Sequence, residues 1–427
     1  MNRRQTGLPR LARCAWLLIL LRQVFVLAGI VRSRRFLRDR SAVLPAAGSA
    51  EATIVVVVPV LREASGLPST VGHLSRLAGP GRTVVVTTER EAGHPSAPGL
   101  STVEVAAALA AQGRCRHLHA PTVTGVKADQ LNWAAGRLAD DGYDASSTFV
   151  LVYDADSRPG PQAVPNFRAG IAAHPSAPVF HTSSLFEHRP SGRPGPRDWL
   201  PAAAALRANR FVLGFEIPRL LARMSTRPVR HRLANKVFAH VTGHGLCVRL
   251  DYLLAHPFPA GDPIEDMHWS FHLCARGEAM IAVPDLDRAE VPGTVAAQLR
   301  QGRRWFSGPG RSLHYAREGG HRPASHELLL ALSGMASAAE WLACAVVPAL
   351  LGISVFHRRD RVAGAVLGLL MAQFVVVDTT LGRRRPADAV GVALMLPVTY
   401  TLQGLGGWAG AIDIVRSRYR TDKTERS

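Results

Sequence analysis

Cysteines are few in this sequence, and none of them forms a recognisable pair. Five are scattered along 427 residues, so their number is odd, and no two follow a CxxC pattern. Disulfide frameworks of small secreted domains use an even number of cysteines, and cysteine-based zinc sites use closely spaced pairs. The sequence therefore predicts neither a disulfide framework nor a zinc site.

Acidic residues are also scarce relative to basic ones. Asp and Glu number 32 against 51 Lys and Arg, which gives a formal net charge of +19. Such a surplus indicates an anionic partner, namely nucleic acid, anionic lipid or a phosphorylated substrate. Because no RNA- or DNA-binding fingerprint is present, nucleic acid is not expected. Clusters of arginine border apolar runs, as is typical of a membrane protein. These clusters are RSRRFLRDR at 32–40, HRRDR at 357–361, RRR at 383–385 and RSRYR at 416–420.

An apolar run near the N-terminus, residues 14–31, has about the length needed to cross a bilayer, but Arg22 lies in its middle. Two interpretations remain open, a single span with a snorkelling arginine and a helix that lies at the membrane interface. A cleaved signal peptide is not expected, since basic residues rather than a small-residue cleavage site follow the run. Residues 1–49 are thus predicted to form a membrane segment with basic flanks.

The C-terminal third contains three further apolar runs, at 328–356, 362–382 and 387–415. Each is long enough to span a membrane, which predicts a bundle of about three segments over 321–415 and a basic tail over 416–427. The alternative is a buried soluble helical domain. Three successive crossings would place HRRDR and the tail outside if the preceding domain is cytoplasmic, against the positive-inside tendency. One run is therefore expected to be interfacial or a hairpin. Glu340 and Asp378 lie within these runs, either as functional groups or as hydrogen-bonding groups of the bundle.

Between these flanks, residues 50–320 alternate strand with helix. TIVVVVP at 53–59, TVVVTT at 83–88 and TFVLVY at 148–153 are β-branched, apolar and short, as expected of buried strands. Helix-compatible segments cover 125–140 and 161–173. Strands separated by helices predict a mostly parallel sheet with helices on both faces, so the fold class is α/β.

Two carboxylates, Asp154 and Asp156, follow the third of these strands in the sequence FVLVYDADSR. Ligands of open parallel sheets bind outside the carboxyl ends of the strands. At alternate positions, both carboxylates can face one divalent cation and a diphosphate, and Mg²⁺ prefers this set of oxygens. By itself the DAD sequence is more typical of a turn or a helix cap than of a metal site. Its place after a buried strand favours the metal site.

Other motifs follow in a fixed order along the chain. They are VPVLRE at 58–63, VKADQLN at 126–132, TGHG at 242–245, IEDMHW at 264–269 and QGRRW at 301–305. Together with DAD, this series resembles the family 2 glycosyltransferases, the GT-A-fold enzymes that include cellulose, chitin and hyaluronan synthases. The resemblance covers about residues 50–310, and the membrane segments are similar in placement to those of membrane-bound members.

The resemblance implies a role for each motif. Pro59 and Glu63 would border the nucleoside, Lys127 would lie near the nucleotide or its phosphates, and Asn132 would be a helix-packing residue. DAD would bind UDP through Mg²⁺ or Mn²⁺. Of the acidic pair, Asp266 would be the general base, with Glu265 as the next candidate. QGRRW matches the QxxRW spacing, which implies that Gln301 and Trp305 line the acceptor end and that Arg304 contacts the diphosphate.

Physical chemistry supports these assignments independently. Negative charge builds on a departing diphosphate and must be neutralised by a metal or by basic side chains, a task suited to Asp156 with its metal and to Arg304. The acceptor hydroxyl loses a proton as it attacks, which requires a positioned carboxylate. Asp266 begins a helical pattern, and a helix N-terminus favours the ionised form of a carboxylate.

Some residues keep two interpretations. Many family members carry an aspartate pair after the second strand, where this chain has Glu89 and Arg90. Glu89 either contacts the base or leaves that task to other groups. His244, between two glycines, either binds the acceptor or forms a structural turn. Trp305 either stacks on a sugar or covers the core near the membrane. His268 and His272 are spaced for one helix face but lack a third metal ligand, so packing is favoured.

These features predict an inverting glycosyltransferase in the cell membrane, multi-pass, with its catalytic domain in the cytoplasm. A nucleotide sugar would be the donor, membrane lipid would surround the anchor, and no protein partner is indicated. The favoured acceptor is a growing polysaccharide, since QxxRW in the family tends to accompany processive synthesis. The alternatives are transfer of one sugar to a lipid carrier or glycolipid, and a non-catalytic membrane module that keeps the fold.

Overall fold

The computed structural model describes residues 7–39, 52–91, 100–123, 126–190, 195–262, 264–319, 324–381 and 386–416. The strands are β1 (Thr53–Pro59), β2 (Thr83–Thr88), β3 (Arg116–Ala120), β4 (Thr148–Val152), β5 (Val179–Glu187), β6 (Leu246–Arg249) and β7 (Met280–Glu290). The helices up to the end of the sheet are α1 (Gly7–Arg38), α2 (Leu67–Ala78), α3 (Thr102–Ala111), α4 (Lys127–Asp140), α5 (Ala163–Ala173), α6 (Pro196–Phe211), α7 (Ile217–Arg223), α8 (Pro228–Asn235), α9 (Leu250–Ala255) and α10 (Glu265–Arg276). Those that follow are α11 (Val295–Gly310), α12 (Ser312–Gly319), α13 (Ala324–Ala343), α14 (Val347–Gly352), α15 (Arg361–Leu381) and α16 (Pro386–Val415).

These strands form one sheet in the order β3-β2-β1-β4-β6-β5-β7. Strand β1 pairs in parallel with β2 and β4, β2 with β3, and β5 with β7. Strand β6 runs antiparallel to both of its neighbours, β4 and β5. The prediction of an α/β fold with a mostly parallel sheet is therefore confirmed.

Helices cover both faces of the sheet, because alternate residues of each strand point to opposite sides. Val55 and Val57 of β1 pack in one core cluster with Leu131 of α4. Their neighbours in the strand, such as Val56, belong to a second cluster that includes Leu74 of α2. A strand buried on both faces is apolar at nearly every position, which explains why TIVVVVP could be identified from sequence.

Polar or Pro-rich segments escaped prediction. Strand β3 has the sequence RHLHA and lies at the edge of the sheet, where only its last residue is buried. The stretch 184–236, which resists assignment from sequence, contains the end of β5 and then α6, α7 and α8. Helix α6 contains Pro201 and contacts α16 and α15, so it connects the sheet to the apolar C-terminal helices.

Within the described ranges, three helices are long and apolar enough to cross a membrane: Arg13–Arg38, Arg361–Thr380 and Ala389–Val415. The first covers the N-terminal run, for which the span and the interfacial helix both stay predictions. The apolar run 328–356 is not one straight helix. It forms α13 and α14, which meet at an angle of 65° and could be a broken span or a re-entrant loop.

Two acids in the apolar C-terminal part have basic partners. Arg22 of α1 forms an ion pair with Glu340 of α13, so the two opposite charges compensate each other. Asp413 of α16 accepts a hydrogen bond of 2.5 Å from Arg303 Nη2 of α11. Such pairs reduce the free energy needed to hold a charge in an apolar region. Glu340 thus has an ionic partner, and its two interpretations, a functional group or a hydrogen-bonding group of the bundle, stay predictions.

Close packing joins α11, which carries QGRRW, to α16. A Cβ at Gly410 of α16 would lie 2.6 Å from the carbonyl oxygen of Arg303, and one at Gly406 would lie 2.9 Å from that of Leu299. Only glycine allows the two backbones to approach this closely. The predicted domain boundaries at 49/50 and 320/321, the RRR cluster at 383–385 and residues 417–427 of the predicted tail lie outside the described residues.

Candidate active site

A cavity of about 790 Å³ opens at the carboxyl ends of β1 and β4 and continues between the apolar helices. Its wall includes eleven of the twelve residues predicted from the motifs. They are Pro59, Glu63, Lys127, Asp154, Asp156, His244, Glu265, Asp266, Gln301, Arg304 and Trp305. Residues up to 246 positions apart in the chain, from Pro59 to Trp305, therefore meet around one space.

The DAD motif begins directly after β4 and forms a tight turn. The backbone N–H of Asp154 donates to Ser157 Oγ at 3.2 Å, and the N–H of Ser157 donates to the Asp154 carbonyl at 3.0 Å. The N–H of Arg158 donates to Asp287 Oδ1 at 3.1 Å. The turn and the metal-site interpretations are therefore compatible, because the turn holds both aspartates at the cavity.

Lys127, the first residue of α4, connects two of the motifs. Its Nζ donates to Asp154 Oδ1 at 2.5 Å and to the carbonyl oxygen of Gly243 at 2.6 Å. Burial lowers the pKa of Lys127, but the carboxylates of Asp154 and Glu265 more than offset this effect, so the pKa is raised. The ammonium therefore stays charged and holds the DAD turn against the TGHG loop.

Gly243 lies against the acidic pair at the start of α10. Its N–H donates to Asp266 Oδ2 at 2.8 Å, and the N–H of Met267 donates to Asp266 Oδ1 at 2.8 Å. A Cβ at position 243 would lie 3.0 Å from Lys127 Nζ, 3.3 Å from Glu265 Oε1 and 3.4 Å from Asp266 Oδ2. Both hydrogen bonds require an acceptor, which suits an ionised Asp266 carboxylate aimed by the backbone.

The pKa of Glu265, the first carboxyl group of the acidic pair, is shifted from its ordinary value. It is buried, and burial together with the nearby charge of Asp266 raises its pKa to about 8, although Lys127 opposes the shift. Glu265 is therefore mostly protonated at neutral pH. A carboxyl group that keeps its proton at neutral pH beside a second carboxyl group is a recurring arrangement in acid–base chemistry.

His244 forms a buried pair with Asp287 on β7. Its Nδ1 lies 2.9 Å from Asp287 Oδ2, and its Nε2 lies 3.1 Å from Ser184 Oγ. Burial disfavours the imidazolium, but the hydrogen bond to Asp287 and its charge outweigh this, so the pKa of His244 is raised. The adjacent Gly245 has φ +62°, and a Cβ there would lie 2.3 Å from Thr182 Oγ1, so the turn requires glycine.

Helix α11 presents the QGRRW motif to the cavity through Gln301, Arg304 and Trp305. The two adjacent arginines point to different partners, since Arg303 pairs with Asp413 and Arg304 faces the cavity. No described residue accepts a hydrogen bond from the guanidinium of Arg304. The ring of Trp305 lies 6.1 Å from that of Phe186, so its indole packs at the wall and also borders the space.

Glu89 is the predicted site residue that is absent from the cavity wall as described. It lies in the short 3₁₀ turn after β2 and pairs with His119 Nε2 at 3.0 Å. Its neighbours Thr88 and Arg90 do line the cavity. The histidines 268 and 272 lie on α10 away from this space, and His268 is buried against Asp262 at 2.9 Å, as expected for packing.

Asp154 and Asp156 fit a hard divalent cation by their chemistry, since both present carboxylate oxygens to the cavity. Among the described residues there is no group of three or more His, Cys, Asp or Glu side chains that could hold a metal ion. Two protein carboxylates with a diphosphate and water as the other ligands match the way Mg²⁺ is bound in phosphate sites. The residues present therefore fit a metal that arrives with its substrate.

Two residues that sequence analysis missed form hydrogen bonds that position the residues of the site. Asp287 contacts both His244 and the backbone after the DAD turn. Gln130 Nε2 donates to the carbonyl oxygens of Val60 and Val86, at 3.0 and 2.9 Å, and so ties together the ends of β1 and β2. The PDLD sequence at 284–287 and the buried place of Gln130 in VKADQLN are the only signals that could have indicated them.

The sheet order and the acidic residues at the strand ends define a glycosyltransferase of the GT-A type. Residues 149–377, more than half of the 427, match the family model of glycosyl transferase family group 2. The chain belongs to this family and is a glycosyltransferase. The family predicted from the motifs is thus confirmed, whereas the processive, synthase-like type stays a prediction. A search of curated proteins found no significant match.

Several solved structures are similar to this chain at low sequence identity. The mannosyltransferase PcManGT from Pyrobaculum calidifontis, solved with GDP-Man and Mn²⁺, is 16% identical over 94% of this chain and 100% of its own, with a TM-score of 0.50. TarS 1-349 from S. aureus, solved with UDP-GlcNAc, is 12% identical over 86% of this chain and 93% of its own, with a TM-score of 0.41. Glucosyl-3-phosphoglycerate synthase from Mycobacterium tuberculosis, solved with phosphoglyceric acid, is 18% identical over 56% and 71%, with a TM-score of 0.33.

Proposed function

We propose that the protein is a membrane-anchored, inverting glycosyltransferase that moves a sugar from a nucleotide-sugar donor to an acceptor hydroxyl. One observation carries the proposal: the DAD turn, the acidic start of α10 and the QGRRW helix line a single cavity. PcManGT, whose fold this chain shares, was solved with GDP-Man and Mn²⁺, which supports a nucleotide sugar as donor.

On the donor side, Asp154 and Asp156 would hold Mg²⁺ or Mn²⁺ against the diphosphate, and the ion would neutralise charge on the leaving group. Arg304 adds a second positive charge from α11, on the same cavity wall. Lys127 fixes Asp154 in place through its 2.5 Å hydrogen bond. Pro59 and Glu63, at and after the end of β1, would border the nucleoside.

On the acceptor side, the hydroxyl oxygen attacks the anomeric carbon from the face opposite the diphosphate. The bond between that carbon and the diphosphate oxygen breaks with its electron pair going to the diphosphate, and the configuration is inverted. The hydroxyl proton passes to the Asp266 carboxylate, which two backbone N–H groups orient at 2.8 Å each. Gln301, Trp305 and His244 would contact the acceptor.

The lining of the cavity favours an acceptor carried on a lipid. Beyond the acidic site, its wall includes apolar side chains of the long apolar helices, among them Trp16 of α1 and Leu367, Leu370 and Met371 of α15. Such side chains offer no hydrogen bonds to the hydroxyl groups of a glycan, but they solvate a hydrocarbon chain. Extension of a polysaccharide is the second candidate, favoured by the indole rings of Trp305 and Trp341 on the same wall.

Orientation in the membrane follows from the bent helix pair. If α13 and α14 form a re-entrant loop, a cytoplasmic catalytic domain leaves HRRDR at 357–361 on the cytoplasmic side, and α15 and α16 cross outward and back. RSRYR at 416–420 then also falls inside, while RRR at 383–385 and the arginines before residue 14 are opposed. A single broken span would place both of the former clusters outside, so the positive-inside tendency favours the re-entrant arrangement in a multi-pass cell-membrane protein.

The proposal is tested by incubating purified protein in membranes with radiolabelled UDP- and GDP-sugars, with and without Mg²⁺ or Mn²⁺. Label should move into material that organic solvent extracts. Water-soluble product of rising length would instead indicate polysaccharide extension. If no nucleotide sugar in the panel is consumed, the chain is the non-catalytic module and the proposal is wrong.

A further inference from the structure

Two arginines on α6, Arg207 and Arg210, line the part of the cavity that lies between the apolar helices. They are three residues apart and therefore share one face of the helix. Neither belongs to the motifs that define the donor site or the acidic pair. Unlike Arg22, Arg116 and Arg303, which form ion pairs with carboxylates, these two arginines have no carboxylate partner among the described residues.

Arg210 is held by neutral acceptors only. It is 8% exposed, and its guanidinium donates to Gln373 Oε1 at 2.6 Å, Gln23 Oε1 at 2.5 Å and Tyr400 Oη at 3.2 Å. These partners come from α15, α1 and α16, so three membrane helices converge on one cation. No carboxylate among the described residues pairs with Arg210. A buried cation without a counter-charge is unfavourable, and the cost falls when an anion binds.

Arg207 adds a second charge without a carboxylate partner in the described part of the chain. One of its terminal nitrogens donates to Gln403 Oε1, whereas its Nε is buried without a hydrogen-bond partner. Burial lowers the pKa of Arg207, and the groups that oppose this are Tyr400 and Cys344 rather than an acid. Because Arg207 lines the cavity, a ligand there can receive hydrogen bonds from the terminal nitrogens of its guanidinium.

Four arginines, Arg22, Arg207, Arg210 and Arg219, line this part of the cavity together with two carboxylates, Glu216 and Glu340. Glu340 pairs with Arg22, and Glu216 lies 3.5 Å from His181 Nε2 and 3.8 Å from His240 Nε2. Arg219 also lines the space, with its guanidinium 5.9 Å from the ring centre of Phe215. The region thus has an excess of positive charge that a ligand must balance.

Apolar side chains lie directly beside the two arginines. The guanidinium of Arg210 is 5.8 Å from the ring centre of Phe374 on α15. Along the same helix, Met371, Leu370 and Leu367 continue the cavity wall away from it. A ligand that satisfies both surfaces has an anionic end and a hydrocarbon chain.

We propose that Arg207 and Arg210 bind the phosphate or diphosphate head group of a membrane amphiphile, whose hydrocarbon chain lies along α15. The inference rests on the proposed function in one respect: with the acceptor hydroxyl at Asp266, this amphiphile is the carrier of the acceptor. Phosphate oxygens match the hydrogen-bonding geometry of guanidinium groups, which makes arginine better suited than lysine at such a site.

The test measures equilibrium binding of ³²P-labelled dodecyl phosphate to detergent-purified full-length protein without any donor sugar. Unlabelled dodecanol and inorganic phosphate serve as competitors, so that the chain and the anion are examined separately. The variants are Arg207→Gln and Arg210→Gln, and the control is Arg197→Gln, an exposed arginine on the same helix. Melting temperature is recorded for each variant.

The expected result is a rise in Kd of at least about tenfold in both Arg207→Gln and Arg210→Gln, with the control unchanged. Neither dodecanol nor inorganic phosphate should displace the labelled dodecyl phosphate when it is present at the same concentration as the probe. Arg210→Gln should melt no lower than the parent protein, since it removes an uncompensated buried charge. Equal binding in both variants would overturn the inference, as would displacement by dodecanol or by phosphate alone. If Arg210→Gln melts at a lower temperature than the parent protein, the Kd of Arg207→Gln alone decides whether the inference holds.

These outcomes are separate from those of the proposed function. Sugar transfer by the parent protein with unchanged probe binding in the two variants would overturn the arginine site alone. Probe binding that depends on both arginines, without consumption of any nucleotide sugar, would overturn the proposed function alone.

Discussion

Lys127 Nζ donates a hydrogen bond of 2.5 Å to Asp154 Oδ1. The residues are 27 positions apart, and the bond joins the start of α4 to the end of β4. Because the ammonium occupies one oxygen of Asp154, only part of the coordinating capacity of that carboxylate remains for a metal. The same ammonium contacts Gly243, which in turn contacts Asp266. One side chain thereby sets the relative positions of the proposed donor and acceptor sites.

Asp156→Ala should weaken metal-dependent binding of the nucleotide sugar by at least about tenfold, because the second oxygen of Asp154 would be the main protein ligand left. The fold should be unaffected, since the residue lies in a turn. Calorimetry with Mn²⁺ and a donor identified by the sugar panel measures the effect, with the exposed Asp140→Ala as control. Unchanged affinity and unchanged metal dependence would mean that DAD serves only as a turn.

A pH-dependent stability should arise from Glu265. Its pKa is about 8 in the folded protein against an ordinary value of 4.5, so the folded state binds the proton more tightly than the unfolded state. Its contribution to the free energy of unfolding is complete below the ordinary pKa and is lost as pH rises toward about 8. Glu265→Gln stays neutral and avoids this loss. The melting temperature of the variant relative to the parent should therefore increase from about pH 5 to about pH 8 and then level off.

Differential scanning fluorimetry of the detergent-purified proteins provides that measurement. Asp140→Asn, which changes an exposed acid, should show no comparable trend. A constant difference between Glu265→Gln and the parent across the whole pH range would show that Glu265 is ionised in the folded protein.

The parts of the site that sequence predicted are those where one local pattern determines position. The β-branched runs before Pro59 and Asp154 could only be buried strands, so the ends of those strands, and the acids after them, were located correctly. Helix α10 begins at Glu265 as its pattern indicates. Parallel topology then brings these ends to one edge of the sheet, which is why motifs spread along the chain meet in the structure.

Features that depend on partners distant in sequence were not predictable. Neither Arg22 nor Glu340 shows from sequence that it contacts the other, because 318 residues separate them. Hydropathy does not indicate the bend between α13 and α14, because it averages over the run 328–356 and carries no information on the direction of the helix axis. At that bend a Cβ on Gly404 of α16 would lie 2.1 Å from the backbone nitrogen of Ala345, so the packing of another helix marks the break.

The contact between α11 and α16 predicts a specific sensitivity to side-chain size. Gly410→Ala places a methyl group where Arg303 and Phe306 already lie, at 2.6 and 3.1 Å from the nearest atoms. Such overpacking typically costs about 1 to 3 kcal/mol. Gly368→Ala on α15 is the matched control, because its Cβ would meet nothing within 4 Å. We expect a lower melting temperature and reduced transfer for the first variant, and neither for the second. Equal behaviour of the two would contradict the close contact.

Membrane association should resist high salt and carbonate, because three described helices are long and apolar enough to span. Centrifugation of cell membranes after carbonate treatment, followed by detergent extraction, is the measurement. The protein should remain in the pellet until detergent is added. Release by carbonate alone would mean that these helices pack as a peripheral or soluble element, and the spanning interpretation would be wrong.

Asp266→Asn should separate binding from chemistry. The amide keeps the shape of the side chain, and its oxygen can still accept one of the two backbone hydrogen bonds, from Gly243 or from Met267. The other bond is lost because the amide nitrogen is a donor, and the amide cannot take the proton of the acceptor hydroxyl. Affinity for the nucleotide sugar should change little, while the rate of transfer falls by about a hundredfold or more. Calorimetry and single-turnover transfer measure the two quantities, and Glu265→Gln is the comparison, since its target is already mostly protonated at neutral pH. If Asp266→Asn transfers sugar at nearly the parent rate and Glu265→Gln does not, Glu265 is the base; if Asp266→Asn neither binds nor folds, the residue is structural.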